Sequence, residues 1–383
     1  MRRVRFLSVF LVLSFLIAPL AAESCSAASY PSVSAKGAVL IDANTGKIIC
    51  EQNAHAKLAM ASTTKIMTAL LALEQPDIDE YFLVDPEAIL VEGTSMGLQT
   101  GDSVTLRGLA VGMLLPSGND AANAAAVKIG GSLEGFCAIM NERAASLGMD
   151  NTHFVTPSGL DDENHFSSAY DMALLGAEAI KNPAFLNICS QKKATVMYGA
   201  PPYARTLYNH NRLLSTIEGA AGIKTGFTKK AGRCLVSAVT RGTFTLICVT
   251  LGAGDDWNAH KQMYSYGFSL LSGVLPDVPA LPAHPVVGGV ANSVSVVTTE
   301  PPELLLFSAA KDEITTKILL PRFSYAPLNA GDEIGKVEYY YKDILITSAP
   351  IVCAGSCEAL PPPVPEKKSF WQKIWDFIVN LFS

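Results

Sequence analysis

The sequence predicts an α+β protein in which an antiparallel sheet is covered by helices, followed by a small all-β domain and a C-terminal amphipathic helix. Three observations carry this. Apolar, β-rich runs stand at both ends of the first 270 or so residues with helical stretches between them, which is the pattern of a sheet whose strands come from both ends of one domain. Beyond Ser293 the pattern changes to short alternating runs separated by Pro, Gly, Asn and Asp, as in small all-β folds. The last residues are rich in Trp and Phe and follow a run of prolines.

At 383 residues, with 49% hydrophobic and 17% charged positions, the chain can bury a large core and hold more than one domain. The formal net charge of -6 supplies no basic field for phosphates, so no nucleic-acid partner is expected. Arg2, Arg3 and Arg5 precede an uncharged run over 6–20 and then Ser26-Ala27-Ala28, the layout of a secretory signal peptide over 1–28. Export is therefore expected.

The domain at 29–274 opens with Gly37 to Asp42 as a buried strand, a turn at Asn44-Thr45-Gly46, and a return strand over 47–50. Helices are expected over 62–73, 106–115, 120–129, 133–147 and 168–180, and strands over 233–239 and 244–251. Prolines at Pro276, Pro279, Pro282 and Pro285 mark a stiff linker over 275–285. Strands over 293–298, 304–307, 314–320, 336–341 and 344–347 make up the β-rich domain at 286–358. The segment 359–383 begins with a proline spacer. In its terminal helix Ser369, Lys373, Asp376 and Asn380 form one polar stripe under a broad apolar surface. At about 1.5 Å per residue this helix is too short to cross the roughly 30 Å hydrocarbon core, so it is expected to lie in a membrane surface.

Of the eight cysteines, most sit in apolar runs as small hydrophobes, and only Cys353 and Cys357 are close enough in sequence for a short bridge, which the sequence leaves open. The six histidines are scattered, no Cys/His cluster has metal-ligand spacing, and neither metal nor cofactor is expected.

Three short motifs follow one another: Ser62-Thr63-Thr64-Lys65, Ser117-Gly118-Asn119 and Lys224-Thr225-Gly226. Each alone is weak, since any of these residues can be a surface group or a helix cap. Their joint, ordered occurrence is the strong signal, because this is the motif set of penicillin-binding proteins and class A β-lactamases. A serine hydroxyl is a poor nucleophile and needs a base in contact, and a residue three positions later lies on the same helical face, so Ser62 and Lys65 can meet. A lysine serves as that base only when desolvated or placed beside another cation. The apolar residues around Lys65 supply the first condition and Lys224 can supply the second. Pro116 ends one helix, and Asn119 or Asp120 can cap the next. Lys224 lies in a stretch bracketed by Gly222 and Gly232 that reads as an edge strand, along which a peptide could add with its carboxylate near Lys224 and Thr225.

On these residues the chain resembles the low-molecular-mass penicillin-binding proteins of the D-alanyl-D-alanine carboxypeptidase (serine peptidase S11) family. Also similar are the surroundings of the three motifs, Phe154 to Asp161 with His165, Asp171-Met172-Ala173, Asn209-His210-Asn211 and, more weakly, Gly331 to Lys336. The resemblance implies a penicillin-binding/β-lactamase-like transpeptidase domain. It implies removal of the terminal D-alanine from peptidoglycan stem pentapeptides, with Ser62 as acylated nucleophile, Lys65 as base and Ser117 as proton relay. Asn119 would hold the substrate amide, while Lys224, Thr225 and Gly226 would bind beside the carboxylate. The backbone N–H groups of Ser62 and Phe227 would form the oxyanion hole, and β-lactams would acylate Ser62. The chain departs from familiar members at Phe227, at His210 and in Asp255 to His260, where some relatives place a histidine and arginines. The rival readings are a class A β-lactamase-like hydrolase, a catalytically silent wall-binding scaffold of the same fold, and an endopeptidase or transpeptidase.

Overall fold

The computed structural model describes residues 31–381 apart from 243, 275, 300–303, 308–312, 342 and 363–368, so the leader lies outside the described residues. The chain begins with a hairpin, β1 (Gly37–Asp42) and β2 (Ile48–Gln52), turned at Asn44-Thr45-Gly46 with Gly46 at φ +67°. The helix expected from Ser62 starts three residues later. Ala61–Thr64 is a 3₁₀ turn, and α1 runs over Lys65–Leu73. The reason is local: the hydroxyls of Thr63 and Thr64 bond back to the carbonyls of Met60 (2.6 Å) and Ala61 (2.8 Å), tightening the chain before the α-helical ladder takes over.

Two short strands, β3 (Phe82–Leu83) and β4 (Ser103–Val104), precede α2 (Leu106–Leu114), α3 (Asn119–Gly130) and α4 (Leu133–Ser146). Then come α5 (Ala169–Ala179), α6 (Pro183–Cys189), the hairpin β5 (Lys193–Gly199) and β6 (Pro202–Tyr208), and the short α7 (Leu213–Thr216). Thr105, Ser132, Ser168 and Asn182 cap their helices through side-chain oxygens. The cap expected from Asn119 or Asp120 is absent: Gly118 stands at the N-cap of α3 without a side-chain bond. The domain closes with β7 (Ala220–Thr228), β8 (Gly232–Arg241), β9 (Phe244–Ala253), α8 (Asp256–Ser269) and β10 (Leu271–Val274).

Five of these strands form one antiparallel sheet in the order β2-β1-β9-β8-β7, which leaves β7 at an edge, as its glycine brackets suggest. The pleat divides β1 between two cores. Val39 and Ile41 join the large cluster under the helices, while Ala38 and Leu40 pack with Met263, Tyr264 and Phe268 of α8. Every residue of α1 is buried, the mark of a helix surrounded on all sides, and this places Lys65 inside the protein.

After an irregular stretch, β11 (His284–Val287) takes in the last two residues of the proline segment, with His284 and Pro285 opposite Val294 and Ser293. β12 (Ser293–Val294) and β13 (Val296–Thr298) divide at Ser295 a run that reads as one strand, and the two pieces enter different sheets. β14 (Leu304–Phe307) pairs with β10 rather than within the β-rich region. β15 (Ile314–Leu319), β16 (Ser324–Tyr325), β17 (Glu333–Tyr341) and β18 (Ile344–Cys353) complete it around a core that includes Val337, Tyr339 and Ile351. Tyr341 instead joins the α8 cluster of the first domain. Cys353 and Cys357 are both free, buried thiols, each packed in the β-rich core. The terminal helix α9 (Phe370–Leu381) has no buried residue, and Trp371 is 75% exposed. Among the described residues no helix is long and apolar enough to cross a membrane.

The loop after α4 docks under the 3₁₀ turn at Gly159, whose φ is +84° and where an added Cβ would stand 2.0 Å from the Ala61 carbonyl oxygen. Gly159→Ala is therefore expected to lower the unfolding free energy by about 2–4 kcal/mol, read from the urea midpoint. A change within about 0.5 kcal/mol would show that the loop is not clamped there.

Candidate active site

Ser62 sits on the 3₁₀ turn, where three residues complete a turn and side chains three apart eclipse. Lys65 consequently lies directly beneath it, its Nζ 2.9 Å from Ser62 Oγ. The ammonium has two further acceptors, Asn119 Oδ1 at 2.7 Å and the Ser158 carbonyl at 2.6 Å, and the residue is 0% exposed. Desolvation first, and then the charge of Lys224, hold its pKa well below the usual lysine value, against an opposing pull from Asp120. Lys224, 1% exposed, is itself pushed down to about 7 by burial, and its Nζ donates to the Thr225 carbonyl at 2.7 Å.

The nucleophile turn is braced from two sides. His165 contacts Thr64 Oγ1 through Nε2 at 2.8 Å and accepts the Val155 N–H at Nδ1 at 3.0 Å, tying the turn to the loop that carries Ser158. Burial above all holds His165 down to about 4, so the ring is neutral at pH 7. From the other side comes the edge strand: an added Cβ at Gly226 would meet the backbone nitrogens of Ser62 at 3.0 Å and Thr63 at 3.1 Å. A side chain here would press on the backbone of the nucleophile turn, so glycine suits this close approach of β7.

The third wall is made by Ser117 to Asn119 and the segment 94–98. Ser117 adopts φ +69°, a left-handed conformation that a non-glycine residue keeps only where its surroundings enforce it. Thr94 Oγ1 donates to the Ser117 carbonyl at 2.5 Å, the Thr94 carbonyl accepts the Asn119 N–H at 2.7 Å, and Asp120 fixes the segment that follows Thr94. Its buried carboxylate accepts from Ser95 Oγ (2.6 Å) and from the N–H groups of Met96 (2.9 Å), Gly97 (3.0 Å) and Leu98 (3.0 Å).

Ser62, Ser117, Thr225, Gly226 and Phe227 line one cleft of about 580 Å³, with Thr94, His210, Arg212, Arg233 and Trp257 among the other walls. Lys65, Asn119 and Lys224 are buried behind this lining, Lys65 bonded to Ser62, Asn119 bonded to Lys65 and Lys224 next to Thr225 on β7. All eight site residues expected from the sequence are thus gathered together. Asn119 Oδ1 accepts from Lys65, and one Nδ2 hydrogen goes to the Glu92 carbonyl at 2.6 Å, which fixes the amide beside Lys65 and leaves its second N–H for a further partner. His210 stands on the rim, its pKa lowered by desolvation and then by Lys224. Sequence reasoning missed Ser158, which acts through a backbone carbonyl that no side chain announces. It also missed the Asp120 clamp, and it quoted His165 without a role. Among the described residues no group of three or more His, Cys, Asp or Glu side chains could hold a metal ion.

A nucleophilic serine paired with a desolvated amine, beside a strand edge able to receive an extended peptide, is suited to acyl transfer. Comparison with known proteins agrees. The profile of the peptidase S11 family, described as D-alanyl-D-alanine carboxypeptidase, matches residues 24–255, and that of the penicillin-binding protein 5 C-terminal domain matches 282–359. D-alanyl-D-alanine carboxypeptidase DacC of Escherichia coli is 32% identical over 96% of this chain and 93% of its own length. DacF of Bacillus subtilis is 32% identical over 83% of this chain and 84% of its own. The crystal structure of DacD from Francisella tularensis superposes with a TM-score of 0.61 at 26% identity, over 87% of this chain and 96% of that one. The Streptomyces K15 DD-transpeptidase gives 0.60 at 31% identity, over 63% of this chain and 100% of that one.

Proposed function

Given that the chain belongs to the peptidase S11 family of D-alanyl-D-alanine carboxypeptidases, we propose that it removes the terminal D-alanine from peptidoglycan stem peptides through an acyl-enzyme on Ser62. The observation that carries this is the 2.9 Å contact between Ser62 Oγ and a lysine amine wholly buried and depressed in pKa. Neutral Lys65 takes the Ser62 proton as Oγ attacks the carbonyl of the penultimate D-alanine. The oxyanion is received by the backbone N–H groups of Ser62 and Phe227, a contribution of about 3 kcal/mol per donor. The proton passes by way of Ser117 to the leaving amine, D-alanine departs, and water then hydrolyses the ester on Ser62. Lys224 and Thr225 bind the terminal carboxylate, and Gly226, by letting β7 close on the Ser62 turn, sets the substrate-binding edge beside the nucleophile. Asn119 holds Lys65 through Oδ1 and offers the second N–H of its amide to the substrate's peptide group. β-Lactams acylate Ser62 as mimics of the terminal dipeptide.

The leader sequence supports export to the outer face of the cytoplasmic membrane. In α9, Phe370, Trp371, Trp375 and Phe377 are all exposed, which supports docking on a lipid surface.

Ser62→Ala is expected to abolish both labelling by fluorescent penicillin and release of D-alanine from a synthetic pentapeptide; release at an undiminished rate would identify another nucleophile. The pH dependence follows from the two lysines. Lys65 acts as a base only when unprotonated, so activity is lost as pH falls through its depressed pKa. Lys224 binds a carboxylate best when protonated, so binding weakens as pH rises through about 7. kcat/KM should therefore be bell-shaped with an alkaline limb near pH 7 that moves upward in kcat, because a bound carboxylate stabilises the ammonium. A kcat/KM flat from about pH 6 to about pH 9 would contradict this. Truncation before Lys367 should leave peptide hydrolysis intact while ending flotation with lipid vesicles; continued flotation would assign the membrane contact elsewhere.

A further inference from the structure

Arg233 stands on β8 directly opposite Phe227 and lines the cleft together with Thr225 and Gly226. Its guanidinium is held in place rather than left to wander. Nε and Nη2 both lie 2.8 Å from Asp256 Oδ1, and the group sits 5.6 Å from the centroid of the Trp257 ring. Its side chain is 42% exposed, whereas that of Asp256 is 3% exposed, so the pair has a buried anchor and an accessible head. These two contacts converge on one carboxylate oxygen, use one edge of the planar fork and leave Nη1 for a ligand in the cleft.

The counter-charge of Asp256 does not cancel this cation completely. The same carboxylate oxygen accepts the Trp257 N–H at 3.0 Å, and Asp256 lies in the first turn of α8, where the helix dipole favours negative charge. Arg212 and Arg233 both line the cleft, and Arg233 is the one on the strand paired with β7, opposite Phe227. Lys224 is pushed down to about 7 by burial and so carries only part of a charge at neutral pH, while a guanidinium stays protonated throughout the working range. The stretch from Asp255 to His260 that begins α8 contains no arginine, so the fixed charge on this wall comes from the neighbouring strand.

We propose that Arg233, positioned by Asp256 and Trp257, is a specificity-determining residue that receives the substrate's terminal carboxylate beside Thr225 and thereby selects peptides with a free acid at the C-terminus. This rests on the carboxypeptidase reading above. The bidentate geometry open to Arg233 is not open to a lysine at the same position, since an ammonium presents a point charge in place of a planar fork.

The test compares one D-alanyl-D-alanine peptide as its free acid and as its C-terminal carboxamide, with the full-length enzyme, Arg233→Gln, Arg233→Lys and the double variant Arg233→Gln/Asp256→Asn. The double variant removes both charges and strands no buried carboxylate, so it carries the test if Arg233→Gln alone fails to fold. In whichever glutamine variant folds, kcat/KM on the acid is expected to fall by about 10- to 100-fold, mostly through KM. The preference for acid over carboxamide should shrink by the same factor, with partial recovery in Arg233→Lys. Retention of the full preference for the acid would overturn the assignment of Arg233. An unmodified enzyme that releases nothing from either peptide would overturn the carboxypeptidase reading itself, and the inference with it.

Discussion

The arrangement turns on one costly placement, the burial of an amine against a serine hydroxyl. A charged ammonium taken out of water is strongly disfavoured, and the relief open to it is to give up its proton, which makes a lysine into a base at neutral pH. Everything near Ser62 serves to keep Lys65 in that position. α1 is buried on every side, the 3₁₀ turn eclipses residues 62 and 65, and Asn119 Oδ1 and the Ser158 carbonyl give the amine acceptors without supplying a full negative charge. Lys224 nearby adds repulsion that favours the neutral form.

Holding such a site requires rigidity from several directions, and the fold supplies it through close backbone approaches and buried polar ties. Gly159 and Gly226 allow a loop and a strand to press on the nucleophile turn. Asp120 gathers the segment 95–98 by four bonds, and Thr94 just before it donates to the carbonyl of Ser117, which keeps a left-handed conformation. The strained residues Ala61 and Ser117, both at positive φ, are found at the cleft, where the surrounding contacts over-determine the chain. The β-rich region packs Tyr341 against the α8 cluster, on the face of the sheet away from the helices that hold Lys65.

Much of this was legible from the residues. The three-residue spacing of Ser62 and Lys65, the apolar surroundings of Lys65 and the glycine-bracketed edge strand all point to the site, because each depends on local periodicity or on side chains that declare their chemistry. What escaped notice depends on tertiary context. Ser158 contributes a carbonyl, and Asp120 reads as a possible helix cap until the segment at 95–98 folds onto it. Asn119 is held between Lys65 and the Glu92 carbonyl, a partner 27 positions away in sequence. The break at Ser295 and the pairing of β14 with β10 are choices between sheets that alternation alone does not distinguish. Arg233 gave no signal because its meaning lies in Asp256 and Trp257, more than twenty positions away.

The account stands or falls with the protonation of Lys65. It is tested most directly by an NMR titration of isotopically labelled lysine side chains in the folded protein, with Lys65 and Lys224 assigned by single substitutions to arginine. Two lysine signals titrating well below the rest, the Lys224 signal near 7, is the predicted result. A Lys65 signal that titrates with the surface lysines would contradict it.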